Sequence, residues 1–210
     1  MKAPAADVSA AGVIAGNVYD KYGTRNPLAR GLVTGFERTM DELLDLAEPV
    51  TSVLEVGCGE GHVTDRLTRR FPRARVRGSD VSPEIVAQAR ARYPACTFEV
   101  GSIYKVGADG ARYDLVVACE VLEHLADPAA ALAGLSRAAG GHLFVSVPRE
   151  PLWRALNLLR GRYWRALGDT PGHVQHWSST AFLALLRTRF DVIAVRRPLP
   201  WTQALCRSRG

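Results

Sequence analysis

Three groups of residues in this chain have types and spacings suited to chemistry. The first is Val53-Leu54-Glu55-Val56-Gly57-Cys58-Gly59-Glu60-Gly61, followed nineteen residues after Gly61 by Asp80. An apolar run that enters a glycine-dense turn lets the backbone take positive φ and lets a ligand lie against it. An acid at the tip of the next apolar run, Ala74 to Ser79, can accept both hydroxyls of a ribose. Together these form the first half of a nucleotide-binding βαβ unit. A dinucleotide fingerprint needs a third glycine where His62 stands, so the order here is instead E-x-G-x-G-x-G, with Glu55 two residues ahead of Gly57. The second group is Glu120-Val121-Leu122-Glu123-His124-Leu125, and the third is Gly172-His173-Val174-Gln175-His176-Trp177. A helical turn would put Glu120, Glu123 and His124 on one face. A neutral imidazole is the natural base for a hydroxyl or phenol. His124, His173 and His176 are therefore the candidate catalytic residues, with Glu123 to orient them. Two carboxylates and two imidazoles also offer a mixed oxygen and nitrogen set for Mg²⁺, Mn²⁺ or Zn²⁺. His62 and the mid-strand His142 read as structural hydrogen-bonding residues.

These groups need a scaffold. Apolar runs predict strands at 52–56, 74–79, 96–100, 115–118, 143–147 and 190–195, with Leu199 to Cys206 as a last edge strand. Helical periodicity predicts helices at 27–46, 62–71, 83–92, 127–139 and 179–188. Ser82 with Pro83, and Asp127 with Pro128, give two of them a capping residue and a proline start. Strands alternating with helices imply a parallel, doubly wound sheet. In such sheets ligands lie beyond the carboxyl ends of the strands, where Glu55 to Gly61, Asp80, Val81, Gly101 to Ile103 and Ala118 to Glu120 fall.

The stretch 149–177 stands apart in composition. It holds Trp153, Trp164 and Trp177 and five arginines (149, 154, 160, 162 and 165) against two acids, Glu150 and Asp169. Leu152, Leu156, Leu159, Tyr163 and Leu167 repeat at helical spacing. As a cover over the carboxyl edge, its Arg149, Trp153 and Trp177 would grip a flat or anionic acceptor. The same mixture also suits a helix lying on a lipid surface, or one that simply covers the sheet.

The chain of 210 residues is long enough for one such domain, and its 47 % hydrophobic content is ordinary for a globular protein. No apolar run reaches the roughly 20 residues of a membrane span. The first residues lack a basic region followed by an apolar core, so a cytoplasmic location is expected. Cys58, Cys96, Cys119 and Cys206 are too scattered for a zinc site or a disulfide scaffold. The net charge of +6 is not gathered into a Lys/Arg block, which argues against a nucleic-acid partner.

The E-x-G-x-G-x-G order with Asp80 beyond it resembles the first motif of class I S-adenosylmethionine (SAM) dependent methyltransferases. The resemblance implies a Rossmann-like, doubly wound, mostly parallel seven-stranded sheet with an antiparallel edge strand and helices on both faces. It implies one domain over 1–210, with 1–48 as a helical lid and 149–177 as a substrate-covering insertion. The implied cofactor is SAM, released as S-adenosylhomocysteine. Its implied contacts are Tyr19, Glu55, Gly57, Cys58, Gly59, Asp80, Val81, Ser102, Ile103, Cys119 and Glu120, with Tyr22 and Arg25 beside Tyr19 in the lid. Many relatives carry an acid at the position of Ser102 for the adenine amino group; here Ser102 is a weaker acceptor and Ile103 offers an apolar wall. The E-x-x-E-H segment resembles that of quinone-pathway O-methyltransferases. It also resembles the metal-ligating segment of small-RNA 2′-O-methyltransferases. The favoured expectation is methyl transfer, on oxygen, to a small-molecule acceptor of hydrophobic or anionic character, with no metal. The alternatives are metal-dependent RNA 2′-O-methylation and a non-catalytic SAM-binding module.

Overall fold

Three helices that begin with proline start where a side chain ties down the first turn. Asn26 Oδ1 accepts from Leu28 N at 2.9 Å ahead of α1 (Pro27–Leu44). Ser82 Oγ accepts from Ile85 N at 3.3 Å ahead of α3 (Pro83–Arg92), and Asp127 Oδ1 from Ala130 N at 2.9 Å ahead of α4 (Pro128–Ala138). Each has proline as its first residue, where an N–H would go unbonded anyway. By contrast, α2 (His62–Arg70) springs directly from Gly61, held at φ 87°. The computed structural model describes residues 26–159, 161 and 163–210, except the side chain of residue 165.

Between these helices run β1 (Ser52–Val56), β2 (Arg75–Asp80), β3 (Thr97–Val100), β4 (Tyr113–Cys119), β5 (Ala139–Pro148), β6 (Phe190–Arg196) and β7 (Trp201–Ser208). They form a seven-stranded sheet in the order β3-β2-β1-β4-β5-β7-β6. The first five strands are parallel, and β7 runs antiparallel to both β5 and β6. This is the mostly parallel seven-stranded sheet with one antiparallel strand that the family resemblance implies. One detail differs, because the last strand is not outermost but lies between β5 and β6. Trp201 to Cys206 are buried without alternation, so both faces of β7 need cover.

Helices flank the sheet on both sides. On one face Leu54, Val116, Leu143 and Val145 pack against Leu132 and Leu135 of α4 and Phe182 and Leu186 of α6 (Ser179–Leu186). On the other, Val53, Val117 and Phe144 meet Phe36, Met40 and Leu43 of α1 and Leu67 of α2. The strand order reverses between β1 and β4, so a crevice opens at their carboxyl ends. Among the described residues no helix is long and apolar enough to cross a membrane.

Two local expectations are corrected. The leucine spacing from Leu152 to Leu167 does not make one helix: α5 ends at Leu159 (Leu152–Leu159), and Gly161 takes φ 68°. A single 3-10 turn, Trp164–Ala166, follows between left-handed Tyr163 and Leu167. Nor do Glu120, Glu123 and His124 share a helical face. Glu120 has φ 55°, and only Leu122–His124 forms a 3-10 turn. The chain must leave β4 sharply there, because Val121 packs directly on Gly57, where no Cβ would fit.

Gly78 is the tightest point beneath the glycine turn. A Cβ there would meet Thr64 Oγ1 at 2.5 Å, Phe98 Cδ1 at 2.9 Å and Cys58 Cβ at 3.0 Å. Gly78→Ala is expected to cost about 1–3 kcal/mol of stability by overpacking, read from urea denaturation midpoints; an unchanged midpoint contradicts the packing described.

Candidate active site

The turn after β1 wraps the tip of β2. Gly57, Gly59 and Gly61 all have positive φ (75°, 52° and 87°). Gly57 N and Cys58 N donate to Ser79 O at 2.7 and 2.9 Å. Gly59 N then donates to Asp80 Oδ2 at 3.0 Å, and Ser82 N to Asp80 Oδ1 at 3.1 Å. Each carboxylate oxygen accepts one backbone N–H and retains a second acceptor position. A Cβ at Gly59 would have nothing within 4 Å, so the turn presents bare backbone to open space. Asp80, Val81 and the buried Ile103 follow the ends of β2 and β3 on the same edge. Ser102 precedes a 3-10 turn, Ile103–Lys105.

Glu55 lies beneath this turn, 2 % exposed, and accepts a short hydrogen bond from Thr64 Oγ1. Burial pushes its pKa from 4.5 to about 8; the Thr64 bond opposes that rise, and the charge of Asp80 adds to it. Between those two pH values the folded state holds a proton that the unfolded chain has lost. Stability therefore falls as pH rises across the window, at up to about 1.4 kcal/mol per pH unit. Glu55→Gln should flatten the fall between pH 4.5 and about 8 in urea titrations; an equal slope in both proteins contradicts it.

Beyond β4 the second and third sequence groups meet. Val174 N and Gln175 N donate to Glu123 O at 2.9 and 3.0 Å, and Gln175 Nε2 donates to Leu125 O at 3.2 Å. These bonds lock residues 172–176 onto the 3-10 turn. His124 Nδ1 lies 2.9 Å from Gly172 O. A carbonyl only accepts, so Nδ1 carries the hydrogen, and the neutral ring keeps its lone pair on Nε2. The rings of His124 and His173 meet edge-on, with centroids 4.9 Å apart, and Trp153 stacks on His173 at 6.0 Å. Trp153 is held in turn by its Nε1 donating to Thr170 Oγ1 at 2.8 Å. Burial first, and the neighbouring His124 second, push the His173 pKa down to about 4, so this ring is neutral.

His176 is bound differently, with Nε2 2.7 Å from Asp169 Oδ1. Arg154 reaches the other Asp169 oxygen at 3.3 Å. Burial alone would raise Asp169, but the hydrogen bond from His176 and the charges of His176 and Arg154 outweigh it and hold the carboxyl below its usual range. Asp169 was not among the expected site residues. The sequence offered only an acid seven positions before a histidine, with no period to connect them.

The structure thus brings His124, His173, His176 and Trp153 together and separates others from them. Trp177 packs on Phe182, centroids 5.8 Å apart, against the opposite face of the sheet from Trp153. Arg149 is anchored through its backbone N, which donates to Pro200 O at 2.9 Å. Cys119 packs toward the α1 side, while Glu120 N donates to Ser146 O at 3.0 Å. His62 is structural as expected, with Nδ1 2.7 Å from the Tyr93 hydroxyl. Tyr19, Tyr22 and Arg25 lie outside the described residues. Among the described residues, Glu123, His124 and His173 each offer one metal-ligating atom, all within 4.8 Å of one another.

Residues 30–193 match the family model described as a methyltransferase domain. The chain is 36 % identical over 121 residues to a trans-aconitate 2-methyltransferase of Methylobacterium nodulans, covering 55 % of this chain and 46 % of that one. It is 28 % identical over 184 residues to the trans-aconitate 2-methyltransferase of Escherichia coli, covering 77 % and 73 %. Among the first relatives, the match thus spans about half of their length or less. In fold it is similar to the magnesium protoporphyrin IX methyltransferase of Synechocystis crystallised with S-adenosylhomocysteine, at TM-score 0.66, 21 % identity and 89 % coverage of both chains. The chain belongs to the methyltransferase-domain family and shares the fold of class I SAM-dependent methyltransferases.

Proposed function

We propose that this protein transfers the methyl group of SAM to an oxygen of a small anionic or hydrophobic acceptor. The observation that supports this most is the His176–Asp169 pair beside His124, His173 and Trp153, at the edge where the glycine turn opens. The cofactor fits what the edge offers. Asp80 has an acceptor position left on each oxygen for the ribose hydroxyls, and the backbone at Gly59 has room for a ligand against it. Glu55, Gly57 and Cys58 support that turn from below. Val81 and Ile103 suit the adenine as apolar walls, with Ser102 as its weak polar contact. Cys119 and Glu120 then border the methionine part.

SAM supplies the electrophilic methyl group; the protein aligns the acceptor and excludes water. Asp169 holds His176 in one orientation, as an orienting carboxylate does for a general base. His124 and His173 border the same space. Trp153 offers an aromatic face to the acceptor. Arg149 and Trp177, expected as direct acceptor contacts, act in this reading as anchors of the insertion's two ends, 149–177. The relatives' acceptor, trans-aconitate, is an anion and serves as the first probe. A cytoplasmic setting accords with four cysteines that form no disulfide.

A second reading has one specific observation in its favour. Glu123, His124 and His173 are the residues that would hold a divalent ion, whose contribution would be to polarise an acceptor hydroxyl. That is the arrangement a metal-dependent RNA 2′-O-methyltransferase would use.

One assay separates these readings: methyl-labelled SAM with trans-aconitate and a small-molecule extract, and separately with RNA, each with and without chelator. Label in the small-molecule fraction, indifferent to chelator, is expected. Label in RNA that chelator abolishes supports the second reading, and no S-adenosylhomocysteine in any arm means a non-catalytic module. With the labelled acceptor in hand, His176→Gln should lower kcat by about 10²–10⁴-fold, the usual worth of a general base, without altering SAM affinity. An unchanged kcat removes His176 from that role.

A further inference from the structure

The insertion between β5 and α6 is tied to the site: Trp153 stacks on His173, and the buried Asn157 donates from Nδ2 to Gly168 O at 2.8 Å and to Thr170 Oγ1 at 3.1 Å. It also carries three large apolar residues that are exposed, Leu159 (82 % exposed), Trp164 (65 %) and Leu167 (74 %). Leu159 ends α5, and the turn that carries Trp164 and Leu167 is hydrogen-bonded rather than extended. Gly168 N donates to Tyr163 O at 3.0 Å, Ala166 N to Tyr163 O at 2.9 Å and Leu167 N to Trp164 O at 3.2 Å.

Charge points to the partner. Residues 155–168 contain three arginines (160, 162 and 165) and no acid, and these alternate with Leu159, Tyr163, Trp164 and Leu167 along the chain. Apolar residues exposed together mark an interaction site rather than ordinary surface. Tryptophan favours the boundary between headgroups and acyl chains, and interleaved arginines favour anionic headgroups. A protein partner would need a matching acidic and apolar groove; an anionic bilayer supplies both properties at once.

We propose that Leu159, Trp164 and Leu167 dock this protein on an anionic lipid surface, seated at the bilayer boundary. Docking there sets the insertion, with Trp153 and His173, close to the membrane. This narrows the acceptor proposed above to an amphiphile taken from the bilayer; only that narrowing rests on the function proposed, and the docking does not.

The test is co-sedimentation of the full chain with vesicles of phosphatidylcholine alone and of phosphatidylcholine mixed with phosphatidylglycerol, at low and high salt. Binding to the mixed vesicles, weakened by salt and absent with phosphatidylcholine alone, is expected. The Leu159→Ser/Trp164→Ser/Leu167→Ser protein should bind the mixed vesicles at least about fivefold less, with an unchanged circular dichroism spectrum. No binding to the mixed vesicles, equal binding by the triple variant, or a preference for RNA over the vesicles each overturns the docking. SAM calorimetry on the same preparations reports separately on the cofactor reading.

Discussion

The carboxylate of Asp80 is the point on which the site depends. It takes Gly59 N on one oxygen and Ser82 N on the other, joining the turn after β1 to the start of α3. Backbone N–H groups that the turn would otherwise leave without a protein partner are satisfied there at little cost. The same geometry leaves each oxygen a second acceptor position. One side chain thus closes the turn and, in the function proposed, also receives the ribose. The surrounding glycines follow from that closure: Gly57 yields to Val121, Gly61 to Phe98, and Gly59 to open space.

The second half of the site is built by a different device. The turn after β4 cannot be helical, because Val121 must reach Gly57, and this throws Glu120 into a left-handed conformation. The displaced chain exposes the carbonyl of Glu123, to which residues 174 and 175 bond. Two segments about fifty residues apart in the chain thereby bring His124 and His173 into ring contact. Strain at Glu120 of order 1–3 kcal/mol is the expected cost of such a conformation, and it falls directly after the end of β4.

Much of this was legible beforehand wherever the signal was local. The caps at Ser82 and Asp127 and the apolar strands lie within a few residues of what they control, and the glycine spacing with Asp80 forms a pattern readable in the sequence itself. The failures share one physical cause, dependence on partners distant in the chain. Nothing near Asp169 says that it meets His176 and Arg154. Nothing near Trp177 says that it packs on the face opposite Trp153. Leucine spacing in 152–167 suggested one helix because the pattern reports only which residues share a side; Gly161 and the left-handed Tyr163 and Leu167 end it. The place of β7 inside the sheet was equally hidden, since an apolar run reads alike at an edge and beside one.

The central claim is that the turn and Asp80 form the SAM site. Calorimetric titration of SAM into the wild type and into Asp80→Ala tests it most directly. A folded variant, by circular dichroism, with SAM affinity at least about tenfold weaker, equivalent to the loss of about 1.4 kcal/mol, is predicted. A folded variant that binds SAM as tightly as the wild type would contradict the account.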